Sequence, residues 1–209
     1  MNKEKIVIIG AGGFGLEVYN ILKEMNYYDC VGFIDYNKQH KKLPLPVIGL
    51  ENEIDKLMEA YKFSNCTIAI GDINKRRIIS NCIKIFSINF PSILHSSIKC
   101  FSKDIGNGVI IYPGVVIMND CKIGNHTLIN SGVTLGHDVV IGEYCNISPG
   151  VNLAGHVKIG NGSLIGIGAS IKEEITIGNN SVVGAGSVVI NDVPDDTTVY
   201  GVPAKSAIP

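Results

Sequence analysis

The chain has 209 residues, 18 basic and 19 acidic side chains, and 45% hydrophobic residues. So even a balance leaves no basic stripe for nucleic acid, and no apolar run approaches the roughly 20 residues of a membrane span. No nucleic-acid partner and no membrane partner are therefore expected, and the length suits two modest domains.

Met1 to Lys5 leads straight into a strand, without the pattern of a signal peptide. The six cysteines, Cys30, Cys66, Cys82, Cys100, Cys121 and Cys145, show no CxxC pairing and mostly sit in apolar runs. They are expected to be reduced and buried in a cytoplasmic protein. KIVIIG reads as a buried strand, and GAGGFG follows it at once, with Gly10, Gly12 and Gly15 in GxGxxG spacing before the apolar-periodic stretch from Leu16 to Met25. CVGFID forms a second strand ending in Asp35. Strand, glycine turn, helix, strand and terminal acid follow in the order of a nucleotide-binding crossover, in which turn amides and the helix N-terminus hold a phosphate. The same glycines also suit a tight turn with no ligand, Asp35 then being a solvated strand-end acid.

KLPLPVIG, residues 42–49, reads as a surface loop, with His40 just before it in a lysine-rich stretch. NCTIAIG is a third strand, and the Gly71-Asp72 turn opens a helix containing Lys75, Arg76 and Arg77. Three strands are too few for a full dinucleotide fold, which argues against a dehydrogenase. Residues 1–90 are thus expected to form a small Rossmann-like α/β domain. Beyond Pro91 the register of the following array fails at Lys99, so residues 91–104 are expected as an irregular cap, in which His95, like His40 before it, is either structural or touches substrate.

From Ile105 to Val189 an aliphatic residue falls at every sixth position, and smaller residues such as Val109, Val115, Cys121 and Val133 recur four places later. This is the signature of a parallel β-helix of about five coils, spanning residues 91–194. Three units make one coil, so residues eighteen apart lie above one another. Gly106, Gly124, Gly142, Gly160 and Gly178 mark one side; Gly114, Gly132, Gly150, Gly168 and Gly186 mark a second, where a corner needs a backbone angle that glycine adopts cheaply. The third breaks the pattern with Asn119-Asp120, His137-Asp138, Gly155-His156, Glu173-Glu174 and Asn191-Asp192.

His137 is the candidate for chemistry. It stacks between Asn119 and Gly155 at strand spacing, about 4.7–4.9 Å, so the missing side chain of Gly155 leaves room for a ligand and its amide can face a developing oxyanion. Asp138 can fix the imidazole tautomer. His156 stacks over Asp138 as a charge partner or ligand contact, and His126 is expected to face solvent. Apart from the His137, Asp138, His156 grouping no cluster has metal-ligand spacing, and no metal site is expected.

GAGGFG, FID, IAIG, the hexapeptide array, GHDVVIG and the closing GVPAK together resemble the bacterial sugar O- and N-acyltransferases of the left-handed β-helix class. That group includes sialic-acid-locus acetyltransferases and nucleotide-linked 4-amino-sugar N-acetyltransferases, and the resemblance spans essentially the whole chain. It implies left-handed coils, against the usual crossover preference, and acetyl-CoA as co-substrate without a metal. By resemblance His137 is the general base and Asp138 its partner, and Gly155 offers its amide to the thioester carbonyl. Ile167, Ala185 and the tail, residues 195–209 with Val202, Pro203 and Lys205, line the coenzyme A channel; Asn146 stands there where some relatives carry a second histidine. Gly12, Gly13, Asp35, Gly71 and Asp72 contact the nucleotide of the acceptor, and Asn130 lies near the reacting groups. The resemblance further implies a cytoplasmic homotrimer with active sites between subunits. It points to a nucleotide-linked amino-dideoxy sugar acetylated for O-antigen, surface polysaccharide or glycan biosynthesis. O-acetylation of a free sugar such as sialic acid, and a non-catalytic trimeric scaffold, are the competing readings.

Overall fold

The computed structural model describes residues 3–37 and 43–207, in two compact units, Met1–Ile93 and Leu94–Pro209. His40 lies outside the described residues. No helix among them is long and apolar enough to cross a membrane.

In the first unit β1 (Glu4–Ile9) is one of two inner strands of a parallel sheet ordered β3 (Val47–Gly49), β2 (Tyr28–Ile34), β1, β4 (Asn65–Ile68). Its run Ile6, Val7, Ile8 and Ile9 is fully buried, as expected of a parallel strand covered on both faces. Helix α1 (Gly13–Met25) follows, then β2 (Tyr28–Ile34), β3 (Val47–Gly49), α2 (Ile54–Tyr61), β4 (Asn65–Ile68) and α3 (Ile73–Ile83). The expected surface loop at 42–49 thus contains a strand: β3 pairs with β2, and Phe33 N–H donates to Pro46 O at 2.9 Å. A three-residue strand beside two prolines carries no periodicity to reveal it. In the basic run of α3, Arg76 is completely buried and donates to the carbonyls of Ile70 and Gly71, at 2.7 and 3.3 Å.

The second unit stacks two-residue strands into three parallel sheets. One holds Asp104–Ile105 through Thr176–Ile177, another Ile93–Leu94 through Val182–Val183, and the third Lys99–Cys100 through Val188–Val189. Partners are eighteen residues apart, as in Leu128 with Asn146 and Asn146 with Leu164. The inward column of Ile111, Ile129, Ile147 and Ile165 is wholly excluded from solvent, each side chain contributing about 1.5–3 kcal/mol of apolar burial.

Residues 91–104 are not an irregular cap. Cys100 pairs with Ile117 and Lys99 with Val116, which adds a coil before the five that the period reveals. The register differs by one residue because the corner at Phe101, Ser102 and Lys103 is shorter than the later corners, and pairing eighteen apart resumes at Asp104 with Lys122. The tail is structured too: Thr198–Gly201 extends one sheet beside Val182–Val183 and folds back through Val202-Pro203 onto Ala204–Ser206.

The expected left-handed backbone occurs at Gly114, Gly132, Gly150, Gly168 and Gly186, with φ between +66° and +73°. On the third edge the same conformation falls on Asp120, Asp138, His156 and Glu174, with φ from 59° to 64°, so its corners share the backbone and differ only in side chain. Gly124 has another reason to be glycine: a Cβ there would lie 2.5 Å from the backbone of Gly142 in the next coil. Cys66, Cys121 and Cys145 are buried, whereas Cys82 is exposed; all six are free thiols. Burial pushes the Cys121 thiol up and that of Cys30 up to about 11.

Candidate active site

In the first unit the singled-out residues gather at the carboxyl ends of parallel strands. The turn at residues 10–13 follows β1, Asp35 follows β2, and Gly71-Asp72 follows β4. The chain reverses direction across the sheet between β1 and β4, the kind of switch point where α/β sheets open a crevice. Close packing explains two glycines of the motif: a Cβ on Gly10 would lie 2.6 Å from Ala69 O, and one on Gly15 would lie 2.0 Å from Gly10 O. Gly12, Gly13 and Gly71 instead face open space, with nothing within 4 Å of an added Cβ.

Asp35 is not simply a solvated acid. Its Oδ2 accepts the Ala11 N–H at 2.7 Å and its Oδ1 accepts the Asn37 N–H at 2.9 Å, which ties the glycine turn to the end of β2. Asp72 caps α3 by accepting the Lys75 N–H at 2.9 Å.

On the third edge of the β-helix, His137 Nδ1 lies 2.8 Å from Asp138 Oδ2. The left-handed backbone at Asp138 turns these sequence neighbours toward each other. The space above His137 is taken by the imidazole itself: a Cβ on Gly155 would meet His137 Nε2 at 2.8 Å and Cε1 at 2.9 Å. Glycine is thus required where the ring lies, and any ligand must approach from the solvent side, to which the His137 side chain is 61% exposed. The Gly155 N–H makes no hydrogen bond within the described residues. His156 Nδ1 stands 3.8 Å from the same Asp138 Oδ2, and its ring meets that of His137 edge-on at 4.9 Å. Below this corner, where the first coil is one residue short, a cavity of ≈ 370 Å³ is lined by Phe101, Lys103 and Asp120 among others.

Two other histidines are packed into the β-helical unit. His126 does not face solvent: it is buried and stacks on Tyr144, ring centroids 5.1 Å apart. His95 is buried, its Nδ1 2.8 Å from Ser97 Oγ.

The residues tied by resemblance to coenzyme A fall mainly on a different edge. Ile167 precedes Gly168 and Ala185 precedes Gly186; both side chains are exposed and lie in successive coils, with Gly186 N–H donating to Ile167 O at 2.7 Å. The tail reaches the same edge through Gly201, whose N–H donates to Ser187 Oγ at 3.1 Å, so Val202 and Pro203 lie there as well. Lys205 is exposed and pairs with Tyr200. Asn130 opens a corner of this edge and donates to Ile147 O at 3.2 Å, while Asn146 lies on a strand that runs toward it. His137 and Gly155 are a full face away, up to about 20 Å for six extended residues. The division could have been found by counting in eighteens, which also stacks His156 over Asp138. The burial of Arg76 had no comparable signal.

A family model described as the PglD N-terminal domain matches residues 5–83, and that of the bacterial transferase hexapeptide matches residues 104–137, 120–155 and 156–191. Comparison with curated proteins returns no match. Among solved structures, a histidine-to-asparagine variant of perosamine N-acetyltransferase from Caulobacter crescentus, in complex with CoA and GDP-perosamine, is 30% identical. The match covers 98% of this chain and 97% of that one, with a TM-score of 0.92. The acetyltransferase domain of PglB from Neisseria gonorrhoeae, in complex with acetyl coenzyme A, is also 30% identical, covering 99% of this chain and 100% of that one at a TM-score of 0.90. WeeI from Acinetobacter baumannii is 27% identical, covering 98% and 100%, at a TM-score of 0.87. A three-sided helix of hexapeptide coils that follows a small parallel α/β unit in sequence, in a chain matched over nearly its full length, means that this chain belongs to the sugar acetyltransferases of the left-handed β-helix class.

Proposed function

We propose that the protein transfers an acetyl group from acetyl-CoA to the amino group, at C4, of a nucleotide-linked amino-dideoxy sugar used in surface polysaccharide or glycan assembly. The observation that carries the reading is the His137–Asp138 pair, 2.8 Å apart, with the His137 ring against Gly155. Asp138 Oδ2 accepts a hydrogen bond from the Nδ1–H of His137, and this tautomer leaves a lone pair on Nε2. An amine attacks a thioester only when neutral, and an amino group on an oxygenated ring titrates near the α-amino range of about 7.7–8.0. His137 Nε2 takes the proton as the nitrogen bonds to the acetyl carbon, and the Gly155 N–H faces the oxygen that gains charge. Collapse then expels the coenzyme A thiolate, which is protonated to the thiol.

The open backbone at Gly12, Gly13 and Gly71 supports a nucleotide in the first unit. Asp35 serves there by holding the Ala11 amide, and Asp72 by fixing the start of α3. The reading assigns residues 1–90 to the nucleotide, 91–194 to catalysis and 195–209 to coenzyme A. The split of candidate residues between two edges supports a closed trimer, in which the His137 edge of one subunit meets the Asn130, Ile167 and Ala185 edge of the next. Asn146, Val202, Pro203 and Lys205 complete the coenzyme A side. A free sugar as acceptor would leave the crevice of the first unit without a role.

The test is a panel of UDP-, dTDP- and GDP-linked amino sugars with acetyl-CoA, scored by mass gain and thiol release. One nucleotide-linked member should gain an acetyl group with stoichiometric thiol. Acetylation of free sialic acid, with every nucleotide-linked amino sugar inert, would overturn the reading.

A further inference from the structure

We infer that His137, Asp138 and His156 form a zinc site that inhibits the enzyme; the inhibition, though not the binding, rests on the reading of His137 as base. One donor atom from each of the three residues lies within 4.8 Å of the others, the one such grouping among the described residues. Asp138 Oδ2 is 2.8 Å from His137 Nδ1 and 3.8 Å from His156 Nδ1. Tetrahedral zinc, with ligands at about 2.0–2.2 Å, needs donors about 3.4 Å apart, a span between these two distances. All three side chains are between 45% and 61% exposed, so they can rotate by the difference and leave the fourth position to water.

The surroundings favour a cation. Asp120 occupies the corner one coil below Asp138, and Glu174 the corner one coil above His156. Lys172, a cation on this edge, is paired with Glu173 at 3.8 Å, and Lys103 lies lower on the edge, in the cavity lined by Asp120. Two imidazoles and one carboxylate suit zinc rather than magnesium or calcium, which take oxygen ligands.

The chemistry of inhibition is a change of tautomer. In the active form Nδ1 holds the proton and Nε2 the lone pair. Zinc takes the Nδ1 lone pair, so the Nδ1 proton leaves to solvent and Nε2 takes one up. Nε2 then donates a hydrogen bond and cannot accept the proton of the incoming amine. No electron is transferred and no covalent bond to carbon changes.

The experiment uses the full chain without a polyhistidine tag, stripped of metal, and titrates it with Zn²⁺ by calorimetry and with Co²⁺ by visible absorption, in the absence of substrates. Binding of one ion per subunit is expected, with Mg²⁺ giving none. His156→Asn, in which asparagine tolerates the left-handed backbone, should weaken zinc binding by at least about tenfold, the lower end of what even indirect partners cost. In the transfer assay Zn²⁺ should inhibit the unsubstituted enzyme reversibly, EDTA should restore it, and His156→Asn, measured against its own zinc-free rate, should need a higher Zn²⁺ concentration for half-inhibition. No Zn²⁺ or Co²⁺ binding, or unchanged affinity in His156→Asn, overturns the site; binding without inhibition of an active enzyme overturns the regulatory role. A protein that binds zinc through His156 yet acetylates no sugar contradicts the proposed function and leaves the site intact.

Discussion

Replacing His137 by alanine removes the proposed proton acceptor and little else, because the ring is exposed and supports no core. Turnover should fall by at least about a hundredfold, within the range for a positioned base, while the dissociation constant for acetyl-CoA stays near that of the unsubstituted enzyme. Near-normal turnover would remove His137 from the mechanism. Gly155→Ala tests the same point from the neighbouring coil. Its Cβ would be 2.8 Å from His137 Nε2, so the imidazole must swing aside. A displacement of this size costs about tenfold to a hundredfold in rate. Because the ring can move into solvent, the melting temperature should shift little; unchanged turnover in a stable variant would show that the ring position is immaterial.

Two kinds of glycine build the coils, and they should respond differently to a methyl group. Gly132→Ala meets open space and pays only for the left-handed backbone, about 1 kcal/mol. Gly124→Ala drives a Cβ to 2.5 Å from the Gly142 backbone, which cannot rotate away, and should cost about 3 kcal/mol. Thermal unfolding should therefore rank Gly124→Ala well below Gly132→Ala, and equal losses would contradict the distinction. The period of six made the three faces and the His137 column readable because each strand is only two residues long and each corner repeats. Where one corner, at residues 101–103, lost a residue, the period broke and a genuine coil looked like a cap. The strand at Val47–Gly49 escaped notice since three residues show no alternation, and Arg76 since a cation in a basic run looks solvated until its carbonyl partners are seen.

At the scale of the whole molecule, one chain carries its proposed proton acceptor and its main coenzyme A candidates on different edges. His137 and Gly155 stand at one corner of the coil, Asn130, Ile167 and Ala185 at the preceding one. This split was implicit in residue spacing, and the proposed function explains it by a second subunit. In the proposed closed trimer each site would join the His137 edge of one subunit to the Ile167 edge of another. The account therefore stands most directly on mixing two variants that are inactive alone. His137→Ala lacks the base, and Ile167→Glu sets a charge in the proposed acetyl-CoA channel. Subunits unfolded together and refolded as a mixture should recover about one quarter of normal acetyl transfer, the share of sites that receive an intact edge from each parent in a statistically mixed ring. Mixed trimers no more active than either parent would contradict a site built on His137 and completed by a second subunit.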